Sequence, residues 1–334
     1  MSGTGRTTRR VTSADVAREA GVSRTTVSFV LNDTPGKAIP EETRQRVWAA
    51  ADRLAYTPSA EARALSRGRS DVVLLLVPAD LLLSPHVGAM AVQLAGAFAG
   101  AGLQLVAHLS AGRPGVDAWA AVTPAAVVAW DLPDDDAEQM RRSGVQVVAS
   151  FTGSDVIGSW VTGAREAEVA RLQVQRLAQA GHRHLGYAVP DDERTAEHVR
   201  LRSRRLRDAC GELGLPDPVQ AVVPAEPRAA ADAVAGWRTV APQVTGVCAH
   251  DATTALSVLA GAHRLGLAVP ADLALVGVDD VPAAAVADPP LTMVDLDPGR
   301  TAEYMVAVVT ALLAGEEAPG PGPSVARLVE RSSV

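Results

Sequence analysis

The stretch V-T-S-A-D-V-A-R-E-A-G-V-S-R-T-T-V-S-F-V-L-N, Val11 to Asn32, decides the fold of the N-terminal part of the chain. Thr12 opens a T-x-x-D pattern with Asp15 three residues on, which predicts a helix start. Val16, Ala17 and Ala20 supply the apolar stripe of that helix. Ala20-Gly21-Val22 predicts a tight turn, since glycine takes a positive φ at little cost. Ser23 is then placed to cap a second helix. On that helix Val27, Val30 and Leu31 share one face, while Arg24, Thr25, Ser28 and Phe29 share the other. This is the layout of a helix-turn-helix, whose second helix enters the major groove with its N-terminal residues at the base edges. Arg24 carries the donor fork for guanine O6 and N7, and Phe29 suits a thymine methyl. Thr12, Ser23, Thr26, Ser28 and Asn32 carry short polar groups suited to phosphate oxygens. The plainer alternative is a small helical hairpin that merely bears an arginine.

The stretch resembles the LacI family of bacterial transcription regulators. The likeness continues through E-E-T-R-Q-R-V-W-A-A-A-D-R-L-A-Y-T-P, Glu41 to Pro58, a third helix with Val47, Ala50 and Leu54 inward. Pro40 stands where the family usually has a cap such as serine, and a proline is compatible with a first helical turn. P-S-A-E-A-R-A-L, Pro58 to Leu65, is similar to the family's hinge helix. The resemblance implies that Leu65 wedges into the central minor groove of the site, with Ala62 beside it and Arg63 near the phosphates. Such a wedge unstacks a base step at a cost of roughly a few kcal/mol, offset by added contacts. The implied organisation is a basic, disordered tail over 1–10, a DNA-binding head over 11–57, a hinge helix and linker over 58–70, and an effector-binding and dimerisation body over 71–334.

Composition agrees with two unequal parts. At 334 residues the chain is too long for one such head, and suits a head joined to a two-lobed body. The net charge is −7, yet residues 1–70 carry +5 and the remainder −12. A basic end on an acidic body is the asymmetry expected when one end meets phosphate. Cys210 and Cys248, far apart in sequence, read as ordinary buried thiols of a reduced compartment. No apolar run of signal-peptide or membrane-span type is evident, so the expectation is a cytoplasmic protein with no membrane partner.

From Asp71 onward, apolar runs of strand length alternate with helical patterns. Strands are predicted over 72–77, 103–107, 126–130, 145–151, 184–189, 219–223, 246–249 and 273–278. Helices are predicted over 88–99, 134–143, 165–180, 196–213, 227–240 and 252–265. Continuous apolar strands with crossover helices predict parallel sheets covered on both faces, here two of them in two lobes. The expected fold is therefore an all-α helix-turn-helix head with a hinge helix, joined to an α/β two-lobed domain. That body is similar to periplasmic binding proteins through Ala180–Tyr187, Leu265–Asp280 and Asp288–Val294. The resemblance implies lobe crossings near 160, 292 and 322, with the first lobe over 71–160 and 293–322 and the second over 161–292 and 323–334. It also makes A-R-L-V-E-R-S-S-V the usual last strand. No heptad extension follows, and a homodimer is expected.

Ligands bind open parallel sheets beyond the C-terminal strand ends, so an effector is expected between the lobes. By resemblance Arg202, in V-R-L-R, is the effector-holding arginine and Asp279, in G-V-D-D, accepts effector hydroxyls. His250 stands where asparagine is usual. Asp80 and Trp130 follow first-lobe strands and line the other side. Each has a duller alternative: a turn cap for Asp279, one of five arginines within Arg200–Arg207 for Arg202, a satisfied histidine for His250, a packing tryptophan for Trp130. Arg165 and Val169 replace the family's D-x-x-x-G, Arg205 replaces a glycine, and Leu81–Leu83 are unusually apolar. These departures favour a sugar acid or modified sugar over a plain hexose, or no small ligand at all.

Other chemistry finds little support. Gly3–Gly5 lacks the rest of a dinucleotide loop. His182 and His184 lack further metal ligands nearby, Asp134–Asp136 read as a helix start, and no nucleophile elbow occurs. No cofactor, metal or catalytic residue is expected. A sugar-processing enzyme lacks a catalytic constellation, and a stand-alone sugar-binding protein would not explain the head.

Overall fold

The computed structural model describes residues 11–31, 38–56, 70–78, 85–110, 119, 122–130, 132–151, 165–240, 243–320 and 326–334. The chain forms two units. The first runs to Val72 and includes Thr123–Ala125, and the second holds the rest.

In the first unit, α1 (Ser13–Ala20), α2 (Arg24–Leu31) and α3 (Glu41–Arg53) enclose one small core. Val16, Ala17, Ala20, Val27, Val30, Val47, Ala50 and Ala51 fill it, with Leu31 and Leu54 packed against it. The inward faces are those the helical spacing predicts. Gly21 ends α1 at φ +68, the left-handed conformation that favours glycine. The third helix is shorter than the 41–58 expected. Leu54 closes it, and Ala55 turns left-handed at φ +49.

The second unit contains two sheets. β1 (Val72–Pro78), β2 (Gln104–Ser110), β3 (Ala126–Ala129) and β4 (Val147–Ser150) form a four-stranded sheet of order β2-β1-β3-β4. α4 (Pro85–Gly100) and α5 (Asp134–Arg142) alternate with these strands. β5 (Leu185–Val189), β6 (Val219–Val222), β7 (Gly246–Ala249), β8 (Ala274–Val278), β9 (Thr292–Asp295) and β10 (Arg327–Val329) form the second sheet, of order β10-β9-β8-β7-β5-β6. Its crossover helices are α6 (Glu166–Gln179), α7 (Ala196–Glu212), α8 (Pro227–Thr239) and α9 (Ala252–Arg264), with a short α10 (Pro282–Ala285) before β9. Pairing in this sheet is parallel except at β10, which runs antiparallel to β9 with Arg327 opposite Asp295. β9 pairs with β8 through Val294 and with β10 through Asp295.

Helix α11 (Pro298–Ala314) is absent from the elements expected above. Asp297 caps it, accepting from the Arg300 amide at 3.1 Å. Ala302, Met305, Val308 and Val309 bury its inner face in the core formed by α4 and the first sheet.

The close approach of α8 and α9 depends on Gly261. A Cβ there would lie 2.7 Å from both the carbonyl carbon and oxygen of Ala230 and 2.9 Å from the Ala231 amide. All three are backbone atoms, so relief requires the helices to separate. Gly261→Ala is expected to lose about 1–3 kcal/mol through overpacking. Thermal unfolding checks this, and an unchanged midpoint would show that the helices part freely.

Candidate functional sites: a reading helix and a buried charged cluster

The head presents α2 with its ends defined by side chains. Ser23 Oγ accepts from the Thr26 amide at 3.0 Å and lies 2.9 Å from Thr26 Oγ1, fixing the helix start. At the start of α1, the Asp15 carboxylate accepts from the Thr12 amide at 3.0 Å and from its hydroxyl at 2.7 Å. The Thr12 hydroxyl thus donates within the helix start. Val27 and Val30 are buried, whereas Arg24 and Thr25 are exposed and Thr26, Ser28 and Phe29 half-buried. A three-helix core therefore holds an arginine-led polar face outward. Asn32, Ala62, Arg63 and Leu65, with the expected hinge helix, lie outside the described residues, as do the basic tail, Asp80 and Leu81–Leu83.

A second constellation forms at the C-terminal ends of β5, β7 and β8, where α6, α7 and α9 begin. Arg202 is the buried member of its arginine run, at 1 % exposure, while Arg200, Arg204 and Arg207 are exposed. Its Nε donates to the carboxylate of Glu166, itself fully buried at the first turn of α6, and its Nη1 reaches the His250 carbonyl at 3.4 Å. The other Glu166 oxygen lies 3.2 Å from His198 Nε2. Tyr187 Oη sits 2.6 Å from His250 Nδ1, and the His198 and His250 rings meet edge-on at 5.0 Å. Arg165, also buried, precedes Glu166. Asp251 caps α9 by accepting from the Thr254 amide at 2.7 Å.

Asp279 and its neighbour have separate fates. Asp280 takes a bidentate grip from Arg331 at 2.7 and 2.8 Å, which fastens the C-terminal segment. Asp279 instead adopts φ +67, donates its amide to Val294 O at 2.9 Å, and acts electrostatically on Arg165 and Arg202. Left-handed geometry in a residue with a Cβ is uncommon and costs of order 1 kcal/mol. Trp130 belongs to the first sheet. It is half-buried, stacked at 4.8 Å on Phe151, and packed on the first sheet's core.

Charge balance keeps the cluster ionised. Burial alone would raise the Glu166 carboxyl, but Arg202 and then His198 hold it well below the ordinary value. Glu166 in turn keeps the Arg202 guanidinium protonated against its own burial. His250 goes the other way: burial, then the neighbouring His198 and Arg202, push it well below the usual histidine value. It is therefore neutral in the fold and titrates with its ordinary value of 6.5 when unfolded. The unfolded chain binds the extra proton, so His250's contribution is complete above about pH 6.5 and is lost as pH falls below it. Stability should decline by up to about 1.4 kcal/mol per pH unit there, with a further loss from Glu166 below its unfolded value of 4.5. Urea titrations across pH check the slope. His250→Gln should flatten the upper segment, and an unaltered slope would place the proton elsewhere.

The comparisons bear on both constellations. The pattern of bacterial regulatory proteins of the lacI family matches residues 12–59, and that of a periplasmic binding protein-like domain matches residues 174–334. The HTH-type transcriptional regulator MalR of Streptomyces coelicolor is 30% identical over 326 residues, covering 92% of this chain and 91% of its own. The chain belongs to the lacI family of bacterial regulatory proteins. Its relatives include the HTH-type transcriptional regulator CelR of Thermobifida fusca, 28% identical over 334 residues, covering 92% and 93% of the two chains. Among solved structures, the Lac repressor dimer bound to operator and an anti-inducer shares its fold, with a TM-score of 0.79 and 21% identity over 97% of this chain and 99% of that one. A CelR–cellobiose complex aligns with a TM-score of 0.65 and 25% identity over 97% of this chain and all of that one.

This lacI-family chain is thus a DNA-binding transcriptional regulator, from a family of regulators and not of enzymes. Of the effector residues expected from its sequence, Arg202, His250 and Asp279 come together, and Trp130 contacts Phe151 at the first sheet. Glu166, Tyr187 and His198 were not expected. His198 had a readable signal, since it precedes Arg202 by one helical turn on the same face. Glu166 had none, because its partner lies 36 residues away.

Proposed function

We propose that this lacI-family regulator works as a homodimeric repressor on a pseudo-palindromic operator. Each head reads one half-site through the start of α2, with Arg24 at a guanine, Phe29 at a thymine methyl and Thr25 on the same face. Thr12, Ser23, Thr26, Ser28 and Asn32 set register on phosphates. Leu65, with Ala62 and Arg63, opens the central minor groove. A small polar effector, a sugar or sugar acid, sits between the lobes on Arg202, His250 and Asp279, with Asp80 and Trp130 opposite. It shifts DNA binding only by its difference in affinity for the two states. The observation that carries the head is a capped helix with buried valines behind and an exposed arginine in front. The effector reading is supported by an ionised cluster gathered at parallel strand ends, where open sheets bind ligands. Among the described residues no helix is long and apolar enough to cross a membrane.

The test removes the cluster's charge without stranding either partner. The double variant Glu166→Leu/Arg202→Met should bind operator as the wild type does but ignore compounds that modulate wild-type binding. A double variant that still responds would take the effector away from this cluster.

A further inference from the structure

We infer that Gln173 is a positioning residue, whose side-chain amide clamps the seam between β7 and β8 and so sets the spacing of His250 and Asp279 just beyond it. This rests on the reading of those strand ends as the effector site, and it names the residue that fixes the width of that site.

The seam follows from the strand pairing. β7 and β8 pair in parallel as far as Cys248 opposite Val276. Past that point each strand end is held by its outer neighbour. On one side Ala249 pairs with Ala188 of β5, and the His250 amide donates to the Ala188 carbonyl at 3.0 Å. On the other, Val278 pairs with Val294 of β9, and the Asp279 amide donates to the Val294 carbonyl at 2.9 Å. His250 and Asp279 thus stand on opposite sides of a seam that opens beyond the last β7–β8 pair.

Gln173 bridges that seam from α6. Its Nε2 donates to the Ala249 carbonyl at 2.9 Å and to the Val276 carbonyl at 3.0 Å, one acceptor from each strand. A carbonyl only accepts, so the amide has to present its NH2 group to both. The side chain is fully buried and shares its helix face with Val169, Ala170, Val174 and Leu177. An apolar side chain would pack on such a face without the desolvation that an amide incurs. The amide oxygen makes no hydrogen bond among the described residues, so the position uses the donors. Packing a helix on a sheet requires no such group, whereas one donor group bound to two strands holds their ends at one separation.

Gln173→Met removes both donors and keeps length and bulk, and Val174→Ala, beside it on α6 and buried in the same lobe's core, is the control for lost packing. Hydrogen exchange and an NMR titration of the His250 imidazole, both on the full chain, read the strand ends without any ligand. In Gln173→Met, exchange at the His250 and Asp279 amides should speed up by at least about tenfold. The reference is the Ala274 amide, which donates to the Thr245 carbonyl at the far end of β8. With its strand end released, the His250 imidazole should titrate closer to its ordinary value of 6.5. Val174→Ala should single out neither amide and leave that titration as in the wild type. Gln173→Leu, shorter and also apolar, gives a second version of the same test. A Gln173 variant that matches the control in either readout, or that loosens one strand end and not the other, would overturn the inference. The effector reading fails by a different result, a Glu166→Leu/Arg202→Met variant that still responds to ligand, so the two failures are distinguishable.

Discussion

Glu166→Leu is expected to cost about 3–5 kcal/mol of stability, because it leaves Arg202 as a buried cation without its partner. The size follows from burial, not from the presence of an ion pair. Arg200 and Glu197 also pair, at 2.6 Å, but with side chains 63% and 74% exposed. Solvent screens that exposed pair, so breaking it should leave stability almost unchanged. Adding Arg202→Met to Glu166→Leu should recover most of the loss, since well-packed apolar replacements of buried pairs are often neutral. A double-mutant cycle by chemical unfolding measures the coupling directly. Additive losses would mean that the two side chains are independent, and would remove the electrostatic basis of the cluster. The same cycle separates Arg202 as a ligand-facing group from Arg202 as a structural one, because only the former alters ligand response once stability is restored.

Arg24→Ala carries the second large effect, on recognition and not on folding. Arg24 is exposed at the first position of α2, behind which Val27 and Val30 are buried. Removing its side chain leaves the core and the Ser23 cap untouched, so the melting temperature should not move. A bidentate arginine–guanine contact contributes about 1–3 kcal/mol of discrimination, so affinity for the preferred site should fall roughly ten- to a hundredfold. Binding to unrelated DNA should weaken only by the loss of one positive charge, a small change in the salt slope. Equal losses on preferred and unrelated DNA would make Arg24 a phosphate contact.

What was legible in the sequence follows from the range of the forces involved. The head was readable almost residue by residue because its determinants are local. A glycine at φ +68, a serine cap three residues from the amide that donates to it and valines at helical spacing all act within a turn or two. Strand positions in the body were readable for the same reason, their apolar runs being continuous. Boundaries were less so: β9 was not among the expected strands, and its place between β8 and β10 depends on pairings that only the fold brings about. Helix α11 was missed because its apolar residues follow a proline-rich stretch, and its start depends on a cap at Asp297. The cluster was half readable. Arg202 and Asp279 stood in recognisable motifs, whereas Glu166 gains its meaning only from an arginine brought to it by the fold. The departure at Arg165 likewise becomes intelligible beside Glu166 and Asp279, whose charges offset its burial.

The central claim is that a sequence-reading head is governed by a ligand site in the same chain. Selection of genomic DNA fragments on the purified full chain, across salt concentrations and with sugars and sugar acids added singly, tests it most directly. The account predicts enrichment of a pseudo-palindrome above a salt-sensitive background, with one compound releasing or tightening the complex. Enrichment of no common palindrome at any salt concentration would contradict it.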